Sequence, residues 1–321
     1  MTVIITTSPG FGRAGDLPER LAATGWTLIR CDEGTVCDHL EEADFLVAGL
    51  PAVTAETLNA APRLRAVIKH GVGLDSIAVD ACTARGIAVL TTPGANAVAV
   101  AELALTAIFA LSRNLIAGHH GIITGGWDRR IGAEVEGASL GIVGFGTIGR
   151  ILAAKARACG MTVLASDPHP DAAAAAALGV TLLPLADLLA RADHVSLHVF
   201  GGPGTAALIG AAELALMQPH ATLLNFARGE VVDLDALVAA LDAGALGGAA
   251  IDAYTVEPPD RSHPIFRQPA VIFSPHSGAD TTGSIIRTGG MILDDIATLI
   301  AGGHPTRTVN RQVFGTGKTT A

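Results

Sequence analysis

The stretch Leu140-Gly141-Ile142-Val143-Gly144-Phe145-Gly146-Thr147-Ile148-Gly149-Arg150 decides how this chain is read. An apolar strand runs into glycines spaced G-x-G-x-x-G, and a helical pattern follows. In that order Gly144 permits a tight turn, Gly146 lets backbone N–H groups approach a pyrophosphate, and Gly149 lets the helix pack on the strand. The next strand pattern, Met161 to Ser166, ends at Asp167, eighteen positions past Gly149 and close to the spacing at which an acid meets adenosine ribose hydroxyls. A carboxylate there repels a 2′-phosphate, so the motif reads as a site for NAD rather than NADP.

Outward from this turn, short apolar runs alternate with helical patterns, which predicts parallel sheets flanked by helices. One series comprises Val3–Thr6, Thr27–Arg30, Phe45–Gly49, Ala66–His70 and Ile87–Leu90, with Thr54 and Asp75 as expected N-caps and Gly25 and Gly86 as stops. A long helix from about Val98 to Ala117 leads into a second series: Leu140–Val143, Thr162–Ser166, His194–Val199, Thr222–Asn225, Gly248–Asp252 and Val271–Ser274. A further helix, Thr281 to Ile300, brings the chain back. The prediction is two Rossmann-like, doubly wound α/β domains: a discontinuous substrate domain at 1–98 and 286–321 and an NAD domain at 99–285, with an active cleft between them. The alanine run from Ala172 reads as a surface helix. Gly315-Thr316-Gly317-Lys318-Thr319 imitates the end of a P-loop, but Gln312 stands where glycine is required, so it reads as a frayed tail.

Composition narrows the function. At 321 residues, half apolar and 16% charged, the chain has room for two full cores. A net charge of −9 supplies no basic face, which argues against nucleic acid and anionic membranes as partners. Cys31, Cys37, Cys82 and Cys159 lack metal-site spacing, so no metal is expected and reduced thiols are. The opening Val3-Ile4-Ile5-Thr6 is strand-like, without the n-region of a signal peptide, and the apolar Leu103–Leu111 is too short to span a bilayer. A soluble cytoplasmic protein is the expectation.

Three polar clusters each follow a predicted strand, where open α/β sheets bind ligands. They are Asn225 to Asp233, containing Arg228-Gly229; Asp252 to Pro259, containing Glu257-Pro258; and Ser274 to Thr281, containing Pro275-His276. With Lys69-His70-Gly71-Val72-Gly73-Leu74-Asp75 and the glycine turn, these segments resemble the D-isomer-specific 2-hydroxyacid dehydrogenase family, in the branch near the phosphoglycerate dehydrogenases, from about Thr54 to Asn310. The resemblance implies hydride transfer between NAD and a D-2-hydroxy or 2-oxo acid, with Arg228, Glu257 and His276 as the catalytic trio. It further implies cofactor contacts at Gly144, Gly146, Thr147, Ile148, Gly149, Asp167, His198, Ala227 and Asp252. Substrate contacts are implied at Lys69, His70, Val72, Gly73 and Arg228, as is a homodimer built mainly through the helix after Val98. Chemistry accounts for the trio: reduction builds negative charge on the carbonyl oxygen, so an imidazolium must donate a proton there. A carboxylate orients and stabilises that imidazolium, and a guanidinium fork suits a substrate carboxylate.

Two departures from the family stand out. Its histidine-x-proline is His198-Val199-Phe200 here, and the arginine that phosphoglycerate enzymes use for phosphate falls at Ala48. A small unphosphorylated 2-oxo acid is therefore the expected substrate, with 3-phosphoglycerate dehydrogenase, hydroxypyruvate or glyoxylate reductase, and a non-enzymatic NAD sensor as alternatives. Tyr254 and Trp127 are expected to pack, and His119 and His120 to be exposed near a helix end.

Overall fold

The computed structural model describes residues 1–31, 39–202 and 204–315. The chain folds into two compact units, one of Met1–Asn96 with Ala279–Ala321 and a second of Ala97–Gly278. The later boundary falls before the helix Thr282–Ile300 and not within it, because Ile292, Leu293, Ile296 and Leu299 of that helix are buried in the first unit's core.

In the first unit β1 (Val3–Thr6), β2 (Thr27–Arg30), β3 (Phe45–Ala48), β4 (Ala66–Lys69) and β5 (Ala88–Leu90) form a parallel sheet of order β2-β1-β3-β4-β5. Successive residues of β1 enter opposite cores, Ile4 beside Phe45 and Ile5 beside Leu46, so both faces are covered and the strands read as unbroken apolar runs. The C-terminal segment returns to this sheet through Asn310. Its side chain accepts the Val89 N–H at 2.7 Å and donates to Ile87 O and Thr83 Oγ1, each at 2.9 Å. Thr54 caps its helix through a capping box, whereas Asp75 lies in a turn and the next helix starts at Val79. The expected Asp75 cap fails because a bonded turn, Ile77 N–H to Leu74 O, intervenes.

The second unit holds β6 (Ser139–Val143), β7 (Thr162–Ser166), β8 (Thr181–Leu182), β9 (His194–Leu197), β10 (Thr222–Asn225), β11 (Gly248–Ile251) and β12 (Val271–Phe273), all parallel, in the order β12-β11-β10-β9-β6-β7-β8. The order reverses at β6, so the crevice between the ends of β6 and β9 is its topological switch point. The expected helix Val98–Ala117 is two helices, Ala97–Ser112 and Leu115–Ile123, bent by 64° at Asn114, whose φ of 50° is left-handed. No single helix among the described residues is long and apolar enough to cross a membrane. Trp127 does not pack: it is 80% exposed. Cys82 and Cys159 are free thiols, but Cys31 is disulfide-bonded, which corrects the reading of reduced thiols; residue spacing does not reveal which sulfurs meet. Of the P-loop-like tail, everything from Thr316 lies outside the described residues.

Candidate functional site

The glycine turn is built as its spacing requires. Gly144 has φ 94°, and a Cβ there would lie 2.5 Å from the His198 carbonyl oxygen; a Cβ on Gly149 would lie 2.3 Å from Gly144 O. Gly146, in contrast, faces open space. Two glycines thus let backbone segments touch, and the third keeps a surface bare. The helix Thr147–Ala158 starts there without any side-chain cap, leaving its first N–H groups, at Thr147 and Ile148, for an outside acceptor. Asp167 accepts the Phe145 N–H and the His169 N–H, both at 2.8 Å, which ties the turn to the end of β7. A carboxylate has about four acceptor positions, so capacity for ribose hydroxyls remains. A bare glycine, free helix N–H groups and an adjacent acid fit a dinucleotide.

His198 sits beside this turn. Its Nε2 pairs with Ser196 Oγ at 2.9 Å, while Nδ1 is buried without a partner. Burial pushes the imidazole down to about 3 and so keeps it neutral. Ala227, buried after β10, donates its N–H to Asn225 Oδ1 at 3.1 Å.

The structure places Arg228, Glu257 and His276, the three residues that the resemblance names as catalytic, on the loops after β10, β11 and β12. His276 Nδ1 meets both Glu257 oxygens, at 2.7 and 2.8 Å, and among the described residues its Nε2 has no partner. Burial raises the Glu257 carboxyl, but the His276 hydrogen bond and charge, the Tyr254 N–H and the Arg228 charge outweigh it and hold the group below its ordinary range. Glu257 therefore stays an acceptor, and the imidazole's inner nitrogen must carry hydrogen. Arg228 leads its loop past the same place. Gly229 next to it packs so tightly on Tyr254 and Thr255 that a Cβ would lie 2.1 Å from their backbone atoms.

The supporting roles of three residues here escape sequence reading. Asn225 closes the Arg228 turn by donating to Arg228 O at 2.8 Å. Asp252, only 4% exposed, accepts Ser274 Oγ (2.6 Å), the Ser277 N–H (2.9 Å) and the Gly278 N–H (3.0 Å). It thus holds the loop in which His276 adopts a left-handed φ of 52°, a strained state for a residue with a side chain. Tyr254 packs on Phe266, as expected of it, but its hydroxyl also donates to Ser274 O at 2.9 Å. Burial, with the charges of Asp252 and Glu257, pushes that phenol up to about 12.

The remaining expected residues lie in the first unit. The Lys69 ammonium donates to Gly49 O and, at 3.0 Å, to Ser76 Oγ. His70 packs edge-on against Phe11 with Nε2 buried and unpartnered, and burial pushes it down to about 4. Thr92 pins Gly71 O through both its N–H (2.8 Å) and its hydroxyl (3.0 Å). Among the described residues the following N–H groups, of Val72 and Gly73, have no acceptor.

Residues 105–278 match the family model described as the D-isomer specific 2-hydroxyacid dehydrogenase NAD-binding domain. A D-3-phosphoglycerate dehydrogenase of Mycobacterium tuberculosis is 39% identical over 293 residues, 89% of this chain and 55% of that protein. One from Methanocaldococcus jannaschii is 34% identical over 277 residues, 85% of this chain and 53% of that protein. The chain thus spans about half the length of the curated relatives it matches. A crystal structure of a Thermus thermophilus protein superposes with a TM-score of 0.85 at 30% identity, over 96% of this chain and 100% of that one. A D-lactate dehydrogenase from Aquifex aeolicus, solved with NAD and lactic acid, superposes with a TM-score of 0.81 at 26% identity, over 94% and 96%. By its glycine turn and these matches, the chain belongs to the D-isomer specific 2-hydroxyacid dehydrogenases and carries their NAD-binding domain.

Proposed function

We propose that the chain is an NAD-dependent oxidoreductase that interconverts a 2-oxo acid and its D-2-hydroxy acid. The observation that carries this reading is the His276–Glu257 pair, with one imidazole nitrogen locked on a carboxylate and the other left for a reacting group. NADH, when bound, supplies the hydride. His276 gives its Nε2 proton to the carbonyl oxygen as that oxygen becomes a hydroxyl, and in the oxidative direction takes the hydroxyl proton back. Glu257 holds the ring and balances its positive charge. Arg228 offers a guanidinium to the substrate's carboxylate and carbonyl oxygens. A carboxylate is also the anion that the free N–H pair of Val72 and Gly73 would take.

The substrate proposed is small and unphosphorylated. Ala48 is fully buried and cannot bind phosphate, Lys69 is engaged by Gly49 and Ser76, and His70 is packed as a neutral ring. A phosphate dianion entering a chain of net charge −9 needs cations that these positions do not offer. NADH oxidation with glyoxylate, hydroxypyruvate, 3-phosphohydroxypyruvate and larger 2-oxo acids tests both points. His276→Ala should lower turnover by roughly 10²- to 10⁴-fold while NADH still binds. No turnover with any 2-oxo acid would favour the NAD-sensor alternative, and a clear preference for the phosphorylated acid would refute the substrate proposal.

The homodimer is likewise a proposal. Val98 and Phe109 are partly exposed on the helix Ala97–Ser112, but larger exposure lies beyond it, with Ile122 at 57%, Ile123 at 69% and Ile131 at 99%. Apolar groups so concentrated call for a cover, and a second copy supplies one. A cytoplasmic location is likewise only proposed, and the net charge of −9 supports partners other than nucleic acid or anionic membranes.

A further inference from the structure

Phe145 stands between Gly144 and Gly146 in the glycine turn, with its ring buried at 1% exposure. Burial of the ring fixes the Cα of this residue, but a glycine on each side leaves the two flanking peptide groups free to rotate. Each is held from outside. The Phe145 N–H donates to Asp167 Oδ2 at 2.8 Å, and the Phe145 carbonyl oxygen accepts Arg150 Nε at 3.0 Å.

Arg150, in the first turn of the helix Thr147–Ala158, is itself fixed on two further sides. Its guanidinium carbon lies 5.8 Å from the centroid of the Phe145 ring, and its Nη1 meets Asp171 Oδ2 at 3.1 Å. Through its other oxygen Asp171 caps the helix Ala172–Leu178, accepting the Ala174 N–H at 3.0 Å. Only Pro168-His169-Pro170 separates Asp171 from Asp167; two prolines stiffen that segment, and the His169 N–H donates to Asp167 Oδ1 at 2.8 Å. The contacts close a ring: Phe145 to Arg150, Arg150 to Asp171, along the main chain to Asp167, and from Asp167 back to Phe145. With one N–H on each of its oxygens, the Asp167 carboxylate has its remaining lone pairs set in direction by that ring.

We propose that Arg150 is a positioning residue of the cofactor site: it clamps the glycine turn to the 167–171 loop and so aims the Asp167 carboxylate at the adenosine ribose of NAD(H). The assignment rests on the NAD reading. A guanidinium suits the task because its planar fork reaches a carbonyl oxygen, a carboxylate and a ring face at once, which an ammonium does not. The clamp acts through Asp167, so its effect belongs to the ribose end of the cofactor and not to proton transfer at His276.

Calorimetric titration of NADH, ADP-ribose and the mononucleotide NMNH into the wild-type chain, Arg150→Met, Asp167→Asn and the double variant tests it, with kcat/KM for NADH and NADPH measured alongside. Methionine keeps much of the stem of a side chain that is 38% exposed, so the fold should survive. Misdirecting one charge-assisted ribose bond predicts that Arg150→Met weakens NADH and ADP-ribose by roughly tenfold or more. NMNH, which lacks the adenosine ribose, should bind unchanged. NADPH gains nothing from the aimed carboxylate, so the preference for NADH over NADPH should shrink by a similar factor, a change that general loosening of the fold does not produce. In the Asp167→Asn background Arg150→Met should cost less than about twofold more, since its partner in the effect is already gone. Arg150→Lys keeps the charge without the fork and should still weaken ADP-ribose more than NMNH, which carries the test if the methionine variant does not fold. The assignment is overturned if Arg150→Met binds ADP-ribose within about twofold of wild type. It is equally overturned if NMNH loses as much affinity as ADP-ribose, or if Arg150→Met weakens Asp167→Asn as much as it weakens wild type. Failure of the wild-type chain to bind NADH would remove the cofactor reading itself, whereas NADH binding that Arg150→Met leaves intact would remove this assignment alone.

Discussion

Asp252→Asn removes one charge and almost no volume, and it separates two roles for this residue. As the resemblance has it, Asp252 is a cofactor contact; in the structure, its carboxylate is occupied by the loop that carries His276. Oδ1 accepts Ser274 Oγ and the Ser277 N–H, and Oδ2 accepts the Gly278 N–H. An asparagine keeps at best the two bonds at one oxygen and turns its NH₂ toward the Gly278 N–H, donor against donor. The lost charge-assisted bond costs about 1.5–3 kcal/mol and the stranded buried donor about 1–3 kcal/mol more, together roughly 2.5–6 kcal/mol. For a unit the size of Ala97–Gly278 that lowers the melting temperature by on the order of 10 °C. Below that melting point turnover should fall at least tenfold, because His276 loses the frame that holds its left-handed backbone, while NADH affinity changes little. Differential scanning calorimetry, steady-state kinetics and NADH titration give the three readings. An unchanged melting temperature and turnover, with NADH binding weakened tenfold or more, would refute the reasoning and return Asp252 to the cofactor.

Glu257→Gln keeps a partner for His276 Nδ1 but no longer balances its charge, so the pH above which oxo-acid reduction fails should move down; kcat/KM profiles that superpose would detach Glu257 from His276. His198 is held neutral by burial, down to about 3, whereas in the unfolded chain it takes a proton below about 6.5, so the unfolded state binds more protons in that window and stability falls as pH drops through it. The slope is about 1.4 kcal/mol per pH unit for one such group, and denaturant titrations at pH 7 and pH 5 should show a smaller difference in His198→Gln than in wild type. Ile123→Asp, at an exposed apolar position, should turn the proposed dimer into a monomer with unchanged melting behaviour of the separate chain; a wild type already monomeric by light scattering at micromolar concentration would remove that proposal.

What was legible in the sequence is what a local rule governs. Strands covered on both faces give apolar runs bounded by turn residues, so eleven of the twelve strands among the described residues were readable; β8 is two partly exposed residues at the sheet edge, too short for any periodic signal. The break at Asn114 was missed because nothing but one left-handed asparagine marks it. The same division runs through the candidate site. Arg228, Glu257 and His276 could be singled out through the family resemblance of the segments that carry them, and their side-chain types suit proton transfer to a carbonyl oxygen and carboxylate binding. The residues that fix their positions could not. Asp252 acts on backbone groups 25 and 26 residues away, Tyr254 on a carbonyl 20 residues away, and Asn225 on its own turn. Each is a polar residue at or just past the end of a buried strand, a pattern that sequence alone does not distinguish from a ligand contact. The roles of Asp252 and Tyr254 follow only from the parallel pairing of β11 with β12, which lays their loops side by side so that the first supplies hydrogen bonds for the second. The chemistry proposed for this site thus depends on sheet order as much as on the three side chains, and substitutions in the loop-fixing residues should impair turnover through His276 while leaving the glycine turn, on the far side of β9, able to bind NADH.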